Sequence, residues 1–160
     1  MEKIDLNPPF SEFKFGLQKS YSFYNEAQDC NLEQIHESLQ TIIKNTFNNE
    51  DFSAIGQYDG YLSFYVRKTD LKGAVFCLAV ENSSKELTQV ADSIEGLYKI
   101  CSDIKLFWEE HPGKRFLPKT PETVGRMKKI IGDFKEYSPN AYAFFWQDHA
   151  MGELLIGLEL

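Results

Sequence analysis

From Ser83 to Glu110, apolar residues recur every three or four positions, the spacing that gathers side chains onto one side of a helix. Leu87, Val90, Ala91, Ile94, Leu97, Tyr98, Cys101, Ile104 and Trp108 carry this stripe. Ser83 and Glu86 stand at capping-box spacing and His111-Pro112-Gly113 supplies a stop, so the pattern predicts one helix over 83–110. Each large side chain buried along it contributes roughly 1.5–3 kcal/mol before ordering entropy is subtracted, which makes this the expected core helix. With 160 residues, 42% of them hydrophobic, the chain has enough apolar surface for one globular domain without staples.

The rest of the chain supplies strands and two more helices. Residues 1–11 hold Asn7-Pro8-Pro9 and no periodicity, which reads as an extended lead-in. Phe13, Phe15, Leu17, Tyr21 and Phe23 then alternate with polar residues, as in one long strand or a hairpin broken near Lys19-Ser20. Asn31 precedes a second amphipathic stripe of Leu32, Ile35, Leu39, Ile42, Ile43 and Phe47, with His36 at its edge. Three strand-like runs follow, Ser53 to Tyr58, Tyr61 to Lys68 and Ala74 to Glu81, divided by turn signals at Asp59-Gly60 and Thr69 to Gly73. The third run is apolar on both faces and is expected to be a central strand. Thr120-Pro121 opens a third helix through Tyr137, in which Gly125 and Gly132 stand seven apart and would admit a close backbone. Ala141 to Gln147 and Glu153 to Leu160 read as closing strands. Together these elements predict a single α+β domain, a mainly antiparallel sheet with about three helices packed largely on one face.

The three cysteines, Cys30, Cys77 and Cys101, are odd in number and far apart, so they read as reduced thiols and not as a disulfide framework. No stretch of signal-peptide or membrane-spanning character occurs, and the expectation is a cytoplasmic protein that does not enter a membrane. A net charge of −7 argues against nucleic acid as a general partner. Charge is uneven, however: seven positive residues against three negative between Lys114 and Glu136 give +4, leaving −11 for the remainder. A basic segment on an acidic body is either an internal match or a binding surface.

Chemistry-bearing patterns are sparse. His36, His111 and His149 belong to separate elements, and neither Cys-x-x-Cys nor His-Glu-x-x-His occurs, so neither a metal nor another cofactor is expected. Cys30 with His149 or His111, and Asp148-His149, are the weak candidates for a nucleophile or an oriented base. Lys114, Arg115 and Lys119 lie beside the start of the third helix, where a cationic loop can hold an anion, although the glycine spacing of a phosphate loop is missing. Aromatic residues make up 14% of the chain, and Tyr58, Tyr61, Tyr65, Tyr142 and Trp146 sit on runs whose other faces are already apolar. They form either an exposed contact patch or a second core layer beneath a helix. The leading expectation is a non-enzymatic protein-binding protein of inhibitor, toxin-neutralising (immunity-like) or effector-binding type, with a basic protein as partner. The alternative is a small enzyme or ligand-binding domain built on the Lys114 to Thr120 loop.

Overall fold

In the computed structural model of the protein, six strands pair in chain order, every pair antiparallel. They are β1 (Phe10–Phe15), β2 (Lys19–Tyr24), β3 (Phe52–Tyr58), β4 (Leu62–Arg67), β5 (Asp70–Ala79) and β6 (Thr88–Ala91). The helices are α1 (Cys30–Phe47), α2 (Ile94–Glu109), α3 (Pro121–Tyr137) and the short α4 (Ala143–Trp146). A separate parallel pair joins β7 (Leu117–Pro118) to β8 (Leu155–Ile156). The structure describes residues 10–15, 19–24, 30–47, 51–58, 62–79, 86–112, 117–118, 120–147 and 155–156. Most of the lead-in over 1–11 and most of the run from Glu153 to Leu160 lie outside them.

The alternation around Phe13 becomes a hairpin, with Phe13 opposite Tyr21 and Phe15 opposite Lys19. Tyr21 and Phe23 of β2 join Ile55, Phe64, Val66, Val75 and Cys77 on one face of the sheet, and α2 covers that face with Leu97, Ile100, Cys101 and Ile104. A register shift between Ala54 and Gly56 keeps this arrangement tight. A Cβ at Gly56 would lie 2.4 Å from both the Ser22 carbonyl and the Phe23 ring, so only glycine lets β2 approach β3 here.

α1 covers the opposite face. Leu39 and Ile43 pack on Ala54, Tyr65 and Leu78. β4 from Leu62 to Val66 and β3 from Ser53 to Gly56 are buried on both faces, whereas β5 opens to solvent toward its start. α2, α3 and α4 gather on the first face, with α3 docked along α2 through Met127, Ile130 and Phe134. Glu110 at the end of α2 meets Arg126 near the start of α3, and Asp103 meets Tyr137 at its end, so the two helices run antiparallel.

The expected helix over 83–110 is two elements. Residues 88–91 are strand β6, and α2 begins only after Ser93, whose hydroxyl accepts the Gly96 N–H at 2.8 Å. Leu87 lies with the α1 layer while Val90 faces α2, the divergence an alternating strand produces and a helix would not, and Ala91 joins Val90 on that face across the register shift opposite Val75 and Phe76. Short apolar runs fit both periods, and pairing with β5 decides between them. Within 141–147 the chain likewise forms the short α4 and not a strand, and it supplies two donors to the edge of β6. Tyr142 N–H donates to the Gln89 carbonyl and the Trp146 indole N–H to the Val90 carbonyl, each at 2.8 Å. Gly125 and Gly132 admit no close backbone: a Cβ at either meets nothing within 4 Å.

Among the described residues β2 faces β3 at Gln57 and Gly56, toward the second half of β3; the first half has a side-chain partner on α1. That partner is Gln40. Its amide donates to the Phe52 carbonyl at 3.1 Å and accepts from the Ala54 N–H at 2.5 Å, doing with one side chain what a neighbouring strand residue does with its backbone. Replacing Gln40 by Ala should cost about 1–3 kcal/mol in chemical denaturation, since the Ala54 N–H is left buried without that acceptor. Gly125→Ala and Gly132→Ala should each raise stability by up to about 1 kcal/mol, because helix propensity improves with no clash.

Candidate interaction surface

The corner between α3 and α4 is fastened to the start of α2 by a short polar network. Ser138 follows α3, is buried, and its hydroxyl accepts from the Asp92 N–H at 3.1 Å. A Cβ at position 96 would stand 2.5 Å from that hydroxyl and 3.1 Å from the Ser93 hydroxyl, so Gly96 is what allows the corner to sit on the first turn of α2. The Asp92 carboxylate takes the Asn140 backbone N–H at 3.1 Å, the Asn140 amide at 2.9 Å and the Gln89 amide at 3.2 Å. With Tyr142 and Trp146 bound to consecutive carbonyls of β6, the whole corner is held against the sheet edge.

This corner shows Pro139, Asn140 and one large aromatic ring to solvent. Tyr142 is 56% exposed. Across 86–98 and 138–147 the charged residues are Glu86, Asp92 and Glu95, all negative. Glu86 and Glu95 are exposed, and Glu95 lies in the first turn of α2, where a carboxylate suits the helix dipole. Lys99, the next cation along α2, lies over the Tyr137 ring at 4.5 Å.

Along the α2–α3 seam the charges satisfy one another. Arg126 grips Glu110 with two nitrogens, at 2.7 and 3.0 Å, and that hydrogen bonding holds the Glu110 carboxyl below its usual range. The Tyr137 hydroxyl donates to Asp103 at 2.5 Å, and its pKa is pushed well up, first by burial and then by that carboxylate. Arg126 of the basic segment is thus an internal match, while Lys128, Lys129 and Lys135 face solvent.

Of the aromatic residues singled out by sequence, Tyr65 and Trp146 are not exposed. Tyr65 is fully buried beneath α1, its hydroxyl donating to the Leu39 carbonyl at 2.8 Å, and Trp146 is the largest fully buried side chain. Their polar tips are spent on backbone carbonyls, which is how an aromatic becomes a second core layer. Tyr58 is half-buried against Tyr21, with ring centroids 5.0 Å apart. Only Tyr142 of this set is exposed among the described residues. Tyr61, Lys114, Arg115, Lys119, Asp148 and His149 lie outside those residues.

Cys77 and Cys101 are buried free thiols whose pKa values burial pushes well up, which removes them as nucleophiles. Cys30 and His36 belong to α1, and His111 is half-buried with its ring edge toward Phe107, 5.9 Å between centroids. Among the described residues no group of three or more His, Cys, Asp or Glu is placed to hold a metal ion, and no helix is long and apolar enough to cross a membrane. Asp92 and Asn140 were not legible as partners, because their meeting depends on the chain after α3 turning beside the start of α2. The available signal was weak: Asp92-Ser93 and Pro139-Asn140 are turn formers flanking helices. No protein-family model, curated protein or solved structure gives a significant match to this chain.

Burial raises the Tyr65 pKa to about 12, partly offset by the Ser63 hydroxyl. An acid whose folded pKa lies above its unfolded value contributes stability that is complete below about pH 10 and is lost as pH rises toward about 12. Denaturation midpoints measured across that window should fall, and Tyr65→Phe should flatten the fall.

Proposed function

We infer that this chain is a non-enzymatic binding protein of the cytoplasm, of inhibitor, toxin-neutralising or effector-binding type, that engages a basic protein partner. The observation that carries this reading is Tyr142, an exposed ring on a corner fastened by backbone and side-chain hydrogen bonds, built from segments (86–98 and 138–147) whose charged residues are Glu86, Asp92 and Glu95. An aromatic anchor of this kind buries much area with few rotors to freeze, and acids around it favour a cationic counterpart. The chain's surplus of −7 adds long-range attraction for such a partner. Of the aromatic patch, Tyr65 and Trp146 belong to the core and Tyr142 is exposed, while Tyr61 lies outside the described residues.

The test is binding kinetics with the partner captured from native lysate. Glu95→Lys should slow association, and the parent rate should fall steeply with added salt, because exposed charges are screened beyond about 8 Å at physiological ionic strength. Tyr142→Ala should speed dissociation by about tenfold or more, the effect of removing a central anchor, with the fold intact by circular dichroism. A salt-insensitive association rate, together with unchanged dissociation for Tyr142→Ala, overturns this reading.

A further inference from the structure

We propose that β1 is a self-recognition edge through which two copies of this chain join antiparallel, continuing one sheet into the other. Strand β1 stands at the end of the sheet order, and all six of its residues pair with β2 on the inner side. No strand pairs with its outer side among the described residues. This contrasts with how the fold treats its other edges. The outer side of β6 is met by Tyr142 and Trp146, and the first half of β3 by Gln40. An extended strand that keeps a row of backbone donors and acceptors is a template for another strand.

The sequence of β1, Phe10-Ser11-Glu12-Phe13-Lys14-Phe15, selects a second copy as the occupant. Residues directly opposite in an antiparallel pair share a face, so a two-fold axis normal to the sheet requires that their residue numbers add to an even sum. Centring the pair on Phe13 sets Glu12 of each copy against Lys14 of the other, two complementary pairs. Centring on Glu12 sets that carboxylate against itself, and centring on Lys14 does the same for the ammonium. Registers centred on Ser11 or Phe15 pair less of the strand. The charges that would deter an arbitrary strand thus admit an identical one in a single register.

This arrangement places Phe13 of both copies side by side on the face that α2 covers, where Phe13 already meets Tyr98 with centroids 5.8 Å apart. Both α2 helices then lie on the same side of the continued sheet. The Tyr142 corner, attached to β6 at the far end of the strand order, stays free in each copy, so this proposal stands or falls independently of the binding function.

Sedimentation equilibrium of the full chain, from low micromolar to near-millimolar concentration, tests it. The parent chain should show a reversible dimer. Glu12→Lys and Lys14→Glu should each weaken it by at least about tenfold, since each sets like charges opposite one another twice. The double variant E12K/K14E should restore the dimer, and an equimolar mixture of the two single variants should form a heterodimer although neither forms a homodimer alone. Circular dichroism of each variant separates lost pairing from lost fold. A parent chain that stays monomeric throughout overturns the proposal, as does a dimer that both single variants leave unchanged.

Discussion

The hydrogen bond from the Trp146 indole to the Val90 carbonyl is the constraint on which one whole side of this molecule depends. β6 is four residues long and ends the sheet, yet Val90 is fully buried, so its outward carbonyl needs a donor that water cannot supply. An unmet buried carbonyl costs about 1–3 kcal/mol, comparable to a sizeable part of a domain's net stability. Trp146 answers this with the same side chain that fills the largest core volume, packing edge-on against Phe145 at 4.9 Å between centroids. Once the indole is placed, α4 must lie along β6 and the chain from α3 must turn beside the start of α2. Gly96, Ser138 and Asp92 are the small and polar residues that make that turn possible.

The layers of the fold were readable from periodicity, while the boundaries set by edge capping were not. Alternation around Phe13 leaves one long strand or a hairpin open, and the structure forms the hairpin, with Lys19 and Ser20 already in β2. β3 and β4 pair as the meander requires, although Asp59-Gly60 lie outside the described residues. Thr120-Pro121 does start α3, where the local signal and the tertiary requirement agree. The stripe from Leu87 to Trp108 was right about burial and wrong about backbone. Val90 and Ala91 do share a core with Ile94 and Leu97, but a strand delivers them there. The aromatic run from Tyr142 to Trp146 has strong strand propensity and is helical, since a helix aims both the Tyr142 N–H and the indole at successive β6 carbonyls. For Tyr65 and Trp146 the local sequence leaves a contact patch and a second core layer open, and the structure puts both in the core. Each has one polar atom, and nothing in the local sequence says that a backbone carbonyl from a distant element receives it.

Charge divides this molecule into a region that consumes its own ions and one that does not. On the α2–α3 seam Glu110 has Arg126, and Asp103 has the Tyr137 hydroxyl. Such exposed or half-exposed pairs add little stability each, but they fix the register of two antiparallel helices and leave a modest outward field. At the corner the arrangement is reversed. Asp92 is used structurally by three neutral N–H donors, which hold its carboxylate in place without adding positive charge. Glu86 and Glu95 extend the same sign outward. A carboxylate satisfied by amides keeps its field, so under the proposed binding function the structural clasp would also attract a cationic partner.

That coincidence bears on affinity as well as on encounter. A binding loop that must be ordered at the moment of contact loses about 0.5–1.5 kcal/mol for each flexible side chain it immobilises, in addition to backbone ordering. The 138–146 corner has met those costs during folding, because the bonds to Gln89, Val90 and Asp92 are the same ones that seal the sheet edge. The ring of Tyr142 is therefore presented from backbone that cannot relax away without exposing the Gln89 carbonyl that its own N–H satisfies. Mutations that loosen the corner from within, at Gly96 or Ser138, act on the contact surface and on the β6 edge together. In this molecule the stability of the last strand and the readiness of the surface for a partner are set by the same hydrogen bonds.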